Sequence, residues 1–176
     1  SNSAVANLIR EKRIHEIKSR EAGLLTKTKK EDNWKEIMLS KFSGTNSGLN
    51  WKKIVLRKGL DAKLILKAVA NIINKIENTE FIDSSYSLLH TDFNQRNLFV
   101  NPDSDKITAI IDWGEAMFGD PIYDFARIRM YIWHFNLGKE VIDNYYNLLS
   151  YTAEGEKLDN LYWLIRAVEY LAYYSE

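Results

Sequence analysis

Four side chains between positions 90 and 112 have the types and spacing that metal-assisted chemistry needs. The stretch LHTDFNQRN (89–97) places His90, Asp92 and Asn97 close together, directly after the lead-in Tyr86-Ser87-Leu88-Leu89. A second carboxylate, Asp112, ends the run ITAIID (107–112). Two carboxylates and one amide carbonyl make a small set of hard oxygen donors. Such a set suits a Mg²⁺ that keeps part of its water and shares substrate phosphates. A carboxylate that the metal does not occupy can orient a substrate hydroxyl and accept its proton. Phosphoryl transfer divides the labour in this way, between one base-like Asp and an Asn with a second Asp that hold the metal. Taken singly, each residue has a plainer reading: His90 as a hydrogen-bonded core histidine, Asp112 as a turn residue at a strand end, and Asn97 as a local backbone cap. The spacing of the set as a whole favours the metal site.

These residues meet only if the chain between them doubles back. Residues 87–89 read as a short buried strand, and NLFV (97–100) and ITAIID as two more. NPDSDK (101–106) supplies Pro, Asp and Ser for the turn between the last two, so the pair is expected to form a hairpin that returns Asp112 to the side of Asn97. Helices are expected around it. One runs from Asp61, with Ile65, Val69, Ile72 and Ile76 at steps of four, three and four. Another follows Gly119-Asp120-Pro121, with Asp120 as its cap and Pro121 in its first turn. A third covers about 139–151 after Gly138, and a last begins near Leu158 on the stripe Leu158, Leu161, Ile165, Val168 and Ala172. Upstream, 4–25 reads as a charged helix and 32–41 as a second helical piece. SGTNSGLN (43–50) is a loop without the spacing of a phosphate-binding loop.

Length and composition agree with one mainly helical α+β domain. The 176 residues are 45% apolar and 27% charged, as in soluble globular proteins. No apolar run is long enough to span a membrane, and the absence of cysteine suits a cytoplasmic protein. The net charge is zero but unevenly spread. Residues 1–80 carry 17 Lys/Arg against 9 Asp/Glu, and residues 81–176 carry 7 against 15. The basic half alternates with Glu and apolar residues, a solvated helix face rather than a nucleic-acid surface. The acidic half holds the polar cluster and would attract a small cationic substrate.

H-T-D-x-x-x-x-N at 90–97, I-D-W at 111–113 and G-D-P-x-x-D at 119–124 occur in the order and spacing of one known family. They resemble the aminoglycoside phosphotransferases, small-molecule kinases with a protein-kinase-like fold, and are most similar to the hygromycin B phosphotransferase-like branch. The resemblance implies the C-terminal lobe of that fold. It also implies ATP or GTP as phosphoryl donor with Mg²⁺, an aminoglycoside hydroxyl as acceptor, and antibiotic resistance as the biological role. Asp92 would then be the catalytic Asp, Asn97 and Asp112 the ligands of the metal-bound nucleotide, and His90 a brace of the catalytic loop. Asp124 would tie that loop to the helix below. Glu115 is a candidate contact for a substrate ammonium. One of Trp113, Phe118, Tyr131 and Trp133 is a candidate for lining a sugar pocket, while core packing is the default for all four. His15 and His134 have no recognisable partners.

Two departures accompany the resemblance. The residues before His90 read as helical and lack the strand lysine of a nucleotide lobe, and the chain opens on Ser1-Asn2, as a tag remnant would. The chain is therefore expected to be a C-terminal lobe whose N-terminal partner lobe is missing, inactive alone. Thr91 stands where the family usually has Gly, and a β-branched residue is expected there only at negative φ. Kinases of choline-, homoserine- or fructosamine-like alcohols carry the same motifs. A non-catalytic module that binds Mg²⁺ or a cation is the alternative of another class.

Overall fold

The computed structural model of the chain describes residues 12–25, 33–42, 61–81, 85–104, 106–136 and 152–173, with the single positions 138, 140, 143 and 147. Helices form where the apolar spacing is helical. Helix α1 (Trp34–Ser40) starts at Asn33, whose side chain accepts from the Lys35 N–H at 2.8 Å, and it buries Trp34, Ile37 and Met38. Helix α2 (Ala62–Glu77) is capped by Asp61, which accepts from the Leu64 N–H at 3.0 Å. Its stripe turns Val69, Ile72 and Ile76 into the core, with Ile65 partly buried beside them. Helix α3 (Ile122–His134) follows Gly119-Asp120-Pro121. Pro121 already has helical angles, and Asp120 accepts from the Ile122 N–H at 2.9 Å. Helix α4 (Ala153–Tyr173) begins five residues before Leu158, with Glu154 and Glu156 in its first turn. The expected loop at 43–50 and most of the expected helix at 139–151 lie outside the described residues.

The expected helix over 4–25 is not what residues 12–25 form. They make a 3-10 turn (Lys12–Glu16) and two short strands, β1 (Lys18–Ser19) and β2 (Gly23–Leu24). Pairing with distant strands decides this. β1 joins β3 (Tyr86–Leu89), β2 joins β6 (Met117–Gly119), and β3 pairs with β6, giving an antiparallel sheet in the order β1-β3-β6-β2. The Leu88 N–H donates to Ile17 O at 2.8 Å, which leaves the Ile17 side chain in solvent and turns His15 inward instead. Gly23 sits at φ 121, which helical geometry does not allow.

The expected hairpin is present as β4 (Leu98–Val100) and β5 (Ile107–Ile110), in the register Leu98↔Ile110 and Phe99↔Ala109. Between the four-stranded sheet and the helices α3 and α4, Trp34 sits fully buried with Tyr86, Tyr123 and Tyr162 around it. The Trp34 indole donates to the Tyr162 hydroxyl at 2.8 Å, and that hydroxyl donates to Asp120 at 2.9 Å. Gly119 lies flat against this ring: a Cβ there would overlap Trp34 and meet Leu89 Cδ1 at 2.8 Å. The glycine of the Gly-Asp-Pro stretch is thus required by packing.

Candidate active site

The loop 90–97 leaves β3 and is fixed from beneath by one carboxylate. Asp124, in the first turn of α3 and fully buried, accepts from the His90 N–H at 2.9 Å and from the Thr91 N–H at 2.7 Å. His15 Nε2 lies 3.1 Å from the same carboxylate. Charge-assisted bonds to a buried carboxylate are the strong kind, so the loop and α3 are held as one body. The structure places Asp124 between the loop and α3, and His15 has the partner it was expected to lack. His134 has one too, with the Tyr170 hydroxyl 3.1 Å from its Nδ1.

His90 is engaged at both ring nitrogens. Its Nε2 is 2.8 Å from Ile111 O, a pure acceptor, so Nε2 carries the proton; Nδ1 then accepts from the Asp92 N–H at 3.3 Å. The ring stacks on Phe93 at 4.9 Å and meets the edge of Trp113 at 4.7 Å. Bound this way, His90 fastens the loop to the end of the hairpin and has no lone pair left for chemistry.

Thr91 departs from expectation. Its φ is 67, the left-handed region that costs a β-branched residue roughly 1–2 kcal/mol. Three bonds hold it there. Its N–H goes to Asp124, its Oγ1 donates to Glu115 O at 2.9 Å, and its carbonyl accepts from Arg166 Nη2 at 3.0 Å. The hydroxyl bond, worth roughly 0.5–1.5 kcal/mol net, offsets much of the strain. Arg166, on α4, also lies 3.9 Å over the Tyr123 ring and bonds Glu169 at 3.1 Å, and Glu169 pairs with Lys41 at 2.8 Å. Burial alone would push the Glu169 carboxyl up, but Lys41 and then Arg166 outweigh it and hold it down at about 2.

On the open side of the loop, Asp92 keeps a third of its side chain exposed. Its Oδ2 accepts from the amides of Asn94 and Asn97, each at 3.1 Å, and its Oδ1 from Arg127 Nη2 at 2.9 Å. Because the Asn97 amide nitrogen is turned to Asp92, its oxygen is the end free to face a cation. The hairpin carries Ile111 back to Asn97, whose carbonyl accepts the Ile111 N–H at 3.0 Å. Asp112 is the next residue, exposed, at φ 64. Asn97 thus bonds Asp92 through its amide and Ile111 through its carbonyl, which leaves Asp112 one residue along the backbone from that bond. Glu115 is exposed in the following turn and joins the loop through its backbone. Among the described residues, no three His, Cys, Asp or Glu side chains gather as a metal cage. One carboxylate and one amide oxygen fit a hydrated Mg²⁺ rather than a fully protein-coordinated ion. Of the aromatics, Trp113 packs on His90, Phe118 packs against the core, Tyr131 stands beside Arg127, and Trp133 is mostly exposed.

Residues 47–160 match the family model of the phosphotransferase enzyme family. The chain belongs to that family. Within it, 41 residues are 51% identical to the hygromycin-B 4-O-kinase of Escherichia coli, covering 23% of this chain and 11% of that protein. A thermostable mutant of aminoglycoside phosphotransferase APH(4)-Ia, apo form, superposes with a TM-score of 0.64 at 17% identity, covering 96% of this chain and 58% of that one. The same enzyme's N202A mutant, in ternary complex with AMP-PNP and hygromycin B, superposes equally well over 57% of its length. The fold is therefore the kinase-like one of these phosphotransferases, and the chain spans under three-fifths of the solved relatives. Among the described residues, no helix is long and apolar enough to cross a membrane.

Missed from sequence were Arg127 and Arg166. A signal existed for the first: Asp124, Arg127 and Tyr131 stand at i, i+3 and i+7, one face of α3.

Proposed function

We propose that this chain is the acceptor-side, C-terminal lobe of a kinase that transfers the γ-phosphoryl group of ATP or GTP to a hydroxyl of an aminoglycoside antibiotic. The observation that carries the reading is the pairing of Asp92 with Asn97 at the hairpin mouth, on a loop that Asp124 immobilises. In the reaction, the acceptor oxygen bonds to the γ-phosphorus as the bond from phosphorus to the β-γ bridging oxygen breaks, and the hydroxyl proton passes to Asp92. Asp92 orients that hydroxyl beforehand, which supplies part of the barrier reduction as positioning. Asn97 and Asp112 would hold Mg²⁺, whose charge offsets that of the phosphates. His90 and Asp124 act through the loop and touch no substrate.

The remaining nucleotide contacts would come from an N-terminal lobe, and the isolated chain is expected to turn over negligibly. The aminoglycoside assignment draws support from the local identity to hygromycin-B 4-O-kinase and from the acidic balance of residues 81–176, which favours a polycation. Fold kinship alone does not choose among alcohols. The test is nucleoside-diphosphate release by the full-length protein with Mg²⁺, ATP or GTP, and a panel containing hygromycin B, other aminoglycosides, choline and homoserine. Turnover on an aminoglycoside that falls by about 10²–10⁴-fold in Asp92→Asn supports the reading. Turnover on another alcohol alone would move the acceptor assignment, and Mg²⁺ binding without any turnover would favour the binding module.

A further inference from the structure

Asp92 does not meet the open side of the site as a bare carboxylate. Its Oδ2 is held by two amides of its own loop, while its Oδ1 is held from α3 by Arg127 Nη2 at 2.9 Å. Arg127 is itself fixed. The same nitrogen lies 3.2 Å from the Tyr131 hydroxyl, the guanidinium sits 5.1 Å over the Tyr131 ring, and only 16% of the side chain is exposed. Its Nε is buried and has no hydrogen-bond partner among the described residues. A guanidinium held so firmly against a base is an odd feature in a site that is to receive a polycation, because it repels the ligand's ammonium groups.

The arrangement has a use if the hazard is the ammonium itself. An aminoglycoside carries several ammonium groups among its hydroxyls, and a bare carboxylate would pair with an ammonium more strongly than with a neutral hydroxyl. Such binding is tight and unproductive, because it occupies the base with a group that has no oxygen to phosphorylate. A cation already beside Asp92 removes that advantage and leaves hydroxyls favoured. We propose that Arg127 is a positioning and specificity residue. It holds the Asp92 carboxylate in place through Oδ1 and excludes acceptor ammonium groups from it, so that a hydroxyl is presented for transfer. The inference rests on the phosphotransferase reading of Asp92.

It predicts a split that a structural lesion would not produce. In Arg127→Met, hygromycin B binds the chain about threefold to tenfold tighter by calorimetric titration, while kcat of the full-length protein falls at least about tenfold. Arg127→Lys keeps a cation without the planar fork and lies between the two in both readouts. Adding Asp92→Asn removes the gain in affinity, because the gain runs through that carboxylate. Weaker binding in Arg127→Met, or a gain that survives Asp92→Asn, overturns the proposal. Thermal unfolding of the two single variants and the double variant decides the contact without reference to any substrate. Non-additive midpoint shifts support the Arg127–Asp92 bond, and additive shifts overturn the proposal. If the wild type neither binds nor phosphorylates any aminoglycoside, the functional reading falls, and the specificity half of this proposal falls with it. The unfolding cycle then decides its positioning half separately.

Discussion

Asp124 and Asp92 are carboxylates attached to the two sides of one loop, and their surroundings are opposite. Asp124 has no solvent exposure and takes two backbone N–H groups and an imidazole. Asp92 is a third exposed, and the donors on it are side chains of its own loop and of α3. The inner layer of the site, with Asp124, His90 and Arg166, is buried and hydrogen-bonded within the protein. The outer layer, with Asp92, Asp112 and Glu115, faces water. The contrast separates two uses of the same chemistry. A carboxylate saturated by backbone donors fixes geometry and is costly to disturb, because its partners would be left buried and unpaired. A carboxylate reachable from solvent contributes less to stability and is available to a ligand. Inner-layer changes should therefore appear as lost stability, and outer-layer changes as lost function.

The largest effect is expected at the innermost carboxylate. Asp124→Ala leaves the His90 and Thr91 N–H groups without their acceptor and should cost roughly 3–5 kcal/mol in urea unfolding. Acid should come next. The Glu169 carboxyl is held at about 2, below its ordinary value of 4.5, so its stabilisation is full above pH 4.5 and is lost as pH falls from there towards 2. The loss is up to ~3 kcal/mol, read as a falling urea midpoint over that window, and Glu169→Gln should flatten this dependence. Gly119→Ala drives a methyl into Trp34 and should cost about 1–3 kcal/mol. Thr91→Gly relieves a left-handed backbone but gives up the Oγ1 bond to Glu115, two terms of similar size. Its unfolding free energy should stay within about 1 kcal/mol of wild type. Asp112→Asn sharpens the comparison from the other side. Asn tolerates φ 64, so stability should change by less than about 0.5 kcal/mol while phosphoryl transfer falls and saturates only at higher Mg²⁺.

How much of this was legible in the sequence follows the same division. The loop, the hairpin and the family motifs lie within 86–124, where strand pairing is local and a turn of fixed chemistry sets the register. The stripe of α2 was legible because its period holds from Ile65 to Ile76, about three turns. The bonds that complete the two layers join residues 109, 75 and 35 positions apart, at His15–Asp124, Arg166–Thr91 and Arg127–Asp92. No local pattern announces such contacts. Strands of two residues have no period to detect, so residues 12–25 read as a helix until the edges of β3 and β6 take them up. Thr91 misled for a related reason. Its side chain argues for negative φ, and anchors on α3, on α4 and in the turn at Glu115 overrule it.

The most direct test pairs stability with turnover in the full-length protein for Asp92→Asn and Asp124→Asn. Asp92→Asn should melt within a few degrees of wild type and lose phosphoryl transfer by orders of magnitude, whereas Asp124→Asn should lose much of its stability and carry activity down with it. An Asp92→Asn protein that keeps its turnover, or an Asp124→Asn protein as stable as wild type, would contradict the division between anchoring and reacting carboxylates.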